Sequence, residues 1–91
     1  MLKMTRSAGK HGVTYQEIAY AVLHHAGKEG IQDRNGLDAV VFVGPRHLGA
    51  LEEDYIEVMV KEAEPGEFVA FHAMTVTDEW RYLIEQHKRD R

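Results

Sequence analysis

The hydrophobic pattern changes period along the chain. Tyr15, Ile18, Ala19, Val22, Leu23 and Ala26 recur at the spacing of one helical face. Thr14-Tyr15-Gln16-Glu17 has the form of a capping box, in which Thr14 accepts a backbone N–H and Glu17 reaches back. Val13 stands where a staple residue packs against Ile18, and Gly27 reads as a left-handed stop. Ala39-Val40-Val41-Phe42-Val43 is apolar at every position and closed by Gly44-Pro45, which suits a covered central strand. Over residues 55–60 the alternation is regular: Ile56, Val58 and Val60 share one side, Tyr55, Glu57 and Met59 the other. Pro65-Gly66 predicts a turn. In the arm that follows, Val69, Phe71 and Ala73 oppose Phe68, Ala70, His72 and Met74. Thr77 reads as the N-cap of a last helix with Asp78 and Glu79 in its first turn. Trp80, Leu83, Ile84 and His87 form its buried stripe, and Lys88-Arg89-Asp90-Arg91 its basic end. Residues 28–38 read as a loop, with a short strand at most around Ile31. Residues 1–6 read as a loose tail or the start of a short element, and residues 88–91 as a loose tail. The order predicts an α+β two-layer domain: helix, antiparallel sheet of three to four strands, C-terminal helix.

Composition bounds the picture. With 91 residues the chain is a single domain spanning 1–91. Its 44% apolar content allows a core, but at this size stability is modest and a partner chain would add to it. The absence of cysteine excludes a disulfide scaffold, an Fe–S cluster and a thiol nucleophile, and favours a cytoplasmic location. The apolar run at residues 39–43 is far too short for a bilayer, and Met1-Leu2-Lys3-Met4 lacks the apolar region of a signal peptide. Eleven Lys and Arg against fifteen Asp and Glu give a formal charge of −4, which argues against a broad electrostatic grip on nucleic acid.

Four stretches, in this order, resemble the BrnT-like toxins of type II toxin–antitoxin systems, whose fold is related to the RelE ribonucleases. They are Lys10-His11-Gly12-Val13-Thr14-Tyr15-Gln16-Glu17, Val41-Phe42-Val43-Gly44-Pro45-Arg46, Tyr55-Ile56-Glu57-Val58-Met59-Val60, and Val69-Ala70-Phe71-His72-Ala73-Met74 followed by Arg81-Tyr82. The resemblance covers residues 9–86. It implies a RelE-like domain and a metal-independent endoribonuclease that blocks translation by 2′-hydroxyl attack. It also implies a cognate antitoxin with a DNA-binding domain, and operon repression by the complex. A homodimer or a toxin–antitoxin hetero-oligomer is compatible with it.

Such cleavage needs a base for the 2′-hydroxyl proton, an acid for the leaving oxygen and a cation for the developing charge. Glu57 and His72 lie opposite the apolar sets of their strands, so they share the open face, and the carboxylate would fix the imidazole tautomer. Arg81, one residue off the buried Trp80, could reach the same face, or could simply pair with Glu85. Lys10 could hold a phosphate and His11 act as a second acid–base group. Structurally, His11 would instead bond backbone at the helix entry while Gly12 takes a positive φ. Arg46 and His47 could rim a phosphate site, the alternative being an ordinary solvated loop, and Tyr82 could stack a base, donate a proton or simply pack at the rim. No cofactor or metal is expected: His24 and His25 are adjacent, no histidine spacing matches a zinc site, and no Gly-rich phosphate loop exists. The competing reading is a toxin-fold module that only binds a protein. It is motivated by the charge of −4, the run Glu52-Glu53-Asp54, and residues 75–79, where the toxins that the chain resembles usually carry arginines and this chain has none.

Overall fold

The computed structural model describes residues 1–89, and side chains through residue 86. The expected burial of His87 and the basic end at 88–91 therefore lie outside the described side chains. Five strands, β1 (Leu2–Met4), β2 (Gly27–Gln32), β3 (Asp38–Gly44), β4 (Ile56–Glu64) and β5 (Glu67–Thr75), form one sheet. Helix α1 (Tyr15–Leu23) precedes β2, and α2 (Leu83–Arg89) follows β5. The sheet order is β1-β5-β4-β3-β2, antiparallel except where β1 runs parallel to β5. The domain is thus α+β, with a five-stranded mixed sheet. Among the described residues no helix is long and apolar enough to cross a membrane.

Three local devices match the sequence reading. The capping box forms, with Glu17 N–H donating to Thr14 Oγ1 at 3.2 Å and Thr14 N–H to Glu17 Oε1 at 2.9 Å. Gly12 has φ 82°, and Gly66 has φ 81° in the β4–β5 turn. Other expectations are corrected. Residues 2–4 are not a loose tail, because their backbone pairs with Phe68, Val69 and Ala70. Gly27 is not a helix stop: α1 ends at Leu23, and Gly27 opens a six-residue strand in what had read as loop. The buried face of α1 is Ile18 and Ala21, while Leu23 is 76% exposed. The last helix begins at Leu83, after turns in which Trp80, Leu83 and Ile84 donate to the carbonyls of Thr77, Trp80 and Arg81.

The two helices lie on opposite faces of the sheet, so the arrangement is not the expected two layers. One cluster joins Ile18 and Ala21 of α1 to Ile56, Val58, Val60, Ala70 and Ala73, with Phe42 against it. The other joins Leu83 and Ile84 of α2 to Val41 and Val43, with Ile31, Met59 and Trp80 against it. From Ala39 to Val43 strand β3 is apolar at every position because it feeds both cores. Two glycines permit this double docking. A Cβ on Gly44 would stand 2.5 Å from the carbonyl oxygen of Ala21 and 2.9 Å from the Cα of His25, and one on Gly27 would strike the carbonyl oxygen of Leu83. The obstacles are backbone, so a helix would have to shift. Gly44→Ala and Gly27→Ala are each expected to cost about 1–3 kcal/mol. Thermal unfolding of both variants, against Gly30→Ala where a Cβ meets open space, checks this.

A bulge sets the face of β5. Met59 pairs with His72 but Val60 pairs with Ala70, leaving Phe71 as the extra residue. Ala73 and Ala70 therefore both meet the α1 core, and Phe71 does not join Ala73 as strict alternation predicts.

Candidate functional site

The face that carries α2 is covered only in part. Beside the helix, over β4 and β5, lies a groove of about 560 Å³ lined by Ser7, Lys10, Asp33, Arg34, Asn35, Met59, Lys61, Phe71 and His72. Three segments build it. After β1 the chain makes a tight turn at residues 7–9, pinned by the buried Ala8 and by the Ser7 hydroxyl, which donates to the carbonyl of Phe71 at 3.2 Å. Gly12 then swings the chain to α1 on the other face, which leaves Lys10 and His11 at the rim above β5. The β2–β3 turn supplies the opposite rim. The Asp33 carboxylate accepts from Asn35 N–H at 2.8 Å and Leu37 N–H at 2.9 Å, and Gly36 takes φ 78°. The strands themselves contribute Met59, Lys61, Phe71 and His72.

At the centre, His72 Nε2 sits 2.9 Å from Glu57 Oε2. Glu57 is 3% exposed and is the one charged residue buried as a whole among the described residues. Its other oxygen, Oε1, accepts from the Thr77 amide at 2.8 Å and the Thr77 hydroxyl at 2.7 Å. Thr77 thus seats the carboxylate instead of capping a helix. Burial is the largest single influence on Glu57 and disfavours its charged form. The hydrogen bonds from His72 and from Thr77, side chain and backbone, together with the charge of His72, outweigh it and hold the carboxyl below its ordinary pKa. An ionised carboxylate only accepts, so His72 donates from Nε2. The neutral ring then carries its lone pair on Nδ1, which has no hydrogen-bond partner among the described residues. The His11 ring stands edge-on to His72, with centroids 6.1 Å apart.

Charge around the groove runs against that of the whole chain. Lys10 and Arg34 reach it with no ion-pair partner among the described residues, and Lys61 adds a third cation. Lys61 lies 3.4 Å from Asp33 Oδ2 and 5.2 Å from the Phe71 ring centroid. Asp33 is held below its ordinary pKa, first by the Leu37 amide, against burial, with the Asn35 amide and Lys61 assisting.

Four of the sequence candidates, Glu57, His72, His11 and Lys10, are therefore brought together. The other four are not. Arg46 is spent on bracing: Nε donates to the Asp54 carbonyl at 2.9 Å, Nη2 to Thr75 Oγ1 at 2.9 Å, and Nη1 is 3.7 Å from Glu17. His47 lies in an exposed loop with Nδ1 at the carbonyl of Leu48. Arg81 pairs with Asp78 and donates to the Val76 carbonyl, and it lines a separate depression with Glu52, Tyr82, Ile84 and Glu85. The Tyr82 hydroxyl bonds Glu29, and that hydrogen bond above all raises the phenol's pKa. The sequence reading passes over Arg34 and Lys61 and takes Phe71 and Thr77 only as a strand residue and a helix cap. Asp33-Arg34-Asn35-Gly36 carries a turn signature that could have drawn attention to Arg34, but nothing local announces the bulge that turns Phe71 to this face.

Set against protein-family models, curated proteins and solved structures, the chain matches none.

Proposed function

We propose that this chain is a toxin of the type II toxin–antitoxin kind, a RelE-like endoribonuclease that inhibits translation by cutting RNA without a metal ion. The observation that carries the reading is the His72–Glu57 pair with His11 beside it, set in a groove rimmed by cations on an otherwise acidic chain. His72 Nδ1 takes the proton of a 2′-hydroxyl. The 2′-oxygen attacks phosphorus, the bond from phosphorus to the 5′-oxygen breaks, and protonated His11 delivers a proton to that oxygen. The products are a 2′,3′-cyclic phosphate and a 5′-hydroxyl. Lys10 offsets the charge that builds on the non-bridging oxygens. Glu57 does not serve as the base, because both its oxygens are occupied; it positions His72. In this reading the protein acts in the cytoplasm, and a cognate antitoxin holds it inactive by covering the groove.

A second reading, a module that only binds a protein, is favoured by one feature. On the α1 face an apolar depression of about 430 Å³ is lined by Leu2, Val22, Val40, Phe42, Val60 and Phe68, among others. Induction of the chain alone in a bacterial host separates the two. The nuclease reading predicts growth arrest, relieved by His72→Ala in a variant whose circular dichroism is unchanged. Normal growth with soluble, folded protein favours the module.

A further inference from the structure

The groove has more cationic reach than one scissile phosphodiester needs. Lys10 serves the end near His11. Arg34 and Lys61 stand with Asp33 on the β2–β3 side. The backbone under Arg34 is fixed: Asp33 accepts from Asn35 and Leu37, Gly36 closes the turn, and Lys61 ties Asp33 to β4. Arg34 itself is exposed and has no hydrogen-bond or ion-pair partner among the described residues. A guanidinium on a rigid turn, aimed at a groove and unpaired, suits a phosphate, which it can grip through two parallel N–H bonds. The Phe71 ring, with the Lys61 ammonium over it at 5.2 Å, borders the same groove. Aromatic face and cation together form the combination on which single-stranded nucleic acid is held without sequence readout.

We infer that Arg34, with Lys61 and Phe71, forms a second nucleotide subsite, which holds a phosphodiester and its base in the strand beyond the bond facing His72. The inference rests on the ribonuclease reading for the placing of that bond, but binding at the subsite does not depend on cleavage. A ligand long enough to fill it is a single-stranded polynucleotide rather than a mononucleotide.

The test uses a short fluorescein-labelled oligodeoxythymidylate, which has no 2′-hydroxyl and is not consumed. Its binding is followed by fluorescence anisotropy across a salt series. Arg34→Gln is expected to weaken binding about 3- to 10-fold and to make the log–log salt slope shallower by about 0.7, the loss of one phosphate contact on a single strand. Lys28→Gln, which removes a charge from β2 opposite Phe42 on the α1 face, is expected to leave both unchanged. On cleavable RNA, Arg34→Gln raises KM for long substrates by a larger factor than it lowers kcat. Equal affinity and slope in wild type and Arg34→Gln overturn the subsite, even while RNA is still cut. No binding by the wild type overturns it as well. Arg34-dependent binding without RNA cleavage keeps the subsite and sinks the nuclease reading instead.

Discussion

His72→Ala is expected to lower the rate of RNA cleavage by about 10²- to 10⁴-fold, the usual contribution of a positioned acid or base. The loss falls on kcat, because the cations that hold phosphate, Lys10, Arg34 and Lys61, are untouched. Some stability goes too. Glu57 keeps its two bonds from Thr77 but loses the one from Nε2, and a buried carboxylate short of one donor costs about 1–3 kcal/mol. Activity must therefore be compared at a temperature where both proteins are folded. His11→Ala is expected to fall in the same range. The double variant should fall little further, since acid and base act as a unit. Single-turnover cleavage of one labelled RNA by the three variants checks this. A His72→Ala protein that is folded and retains wild-type kcat removes His72 from the chemistry.

Glu57→Gln separates position from charge. The side chain keeps its volume, and its amide oxygen can still accept from Thr77. The group that then faces His72 is an NH₂ donor, so Nε2 must become the acceptor and the ring proton must move to Nδ1. That is the nitrogen the reading needs free, so cleavage is expected to fall about 10²-fold or more with little change in fold. Glu57→Ala is harsher. It strands the ring N–H and both Thr77 donors, and breaking such a buried pair costs about 3 kcal/mol. In a domain of this size each kcal/mol moves Tm by about 4–8 °C.

The pH dependence follows from the same carboxyl. Glu57 is held below its ordinary pKa, so in acid the unfolded chain binds the proton more readily than the folded one. Its stabilising contribution is complete above the ordinary glutamate value and is lost as pH falls through the lowered value. Wild type should lose Tm across that acid window, and Glu57→Gln should lose less there. Parallel slopes for the two proteins would remove Glu57 from the acid response.

Local chemistry was legible in the sequence. The capping box at Thr14 and Glu17, the covered strand at 39–43 and the turn at Pro65-Gly66 are written in neighbouring residues, and so is the shared face of Glu57 and His72. What was not legible depends on distant partners. A three-residue strand at Leu2–Met4 has no period of its own and exists because β5 offers an open edge. Strand β2, Gly-Lys-Glu-Gly-Ile-Gln, is polar because it lies at the other edge, and it reads as loop until β3 pairs with it. One extra residue at Phe71 reverses the phase of alternation ahead of it. Arg46 looked available because its three partners, Glu17, Asp54 and Thr75, come from three separate segments.

The central claim is that a histidine positioned by a buried glutamate cuts RNA through its own 2′-hydroxyl. The direct measurement is to incubate the purified chain with RNA in the presence of EDTA and to identify the new ends. The account predicts fragments bearing 2′,3′-cyclic phosphate and 5′-hydroxyl ends, formed by wild type and absent with His72→Ala. Intact RNA, or fragments ending in 3′-hydroxyl and 5′-phosphate, would contradict it.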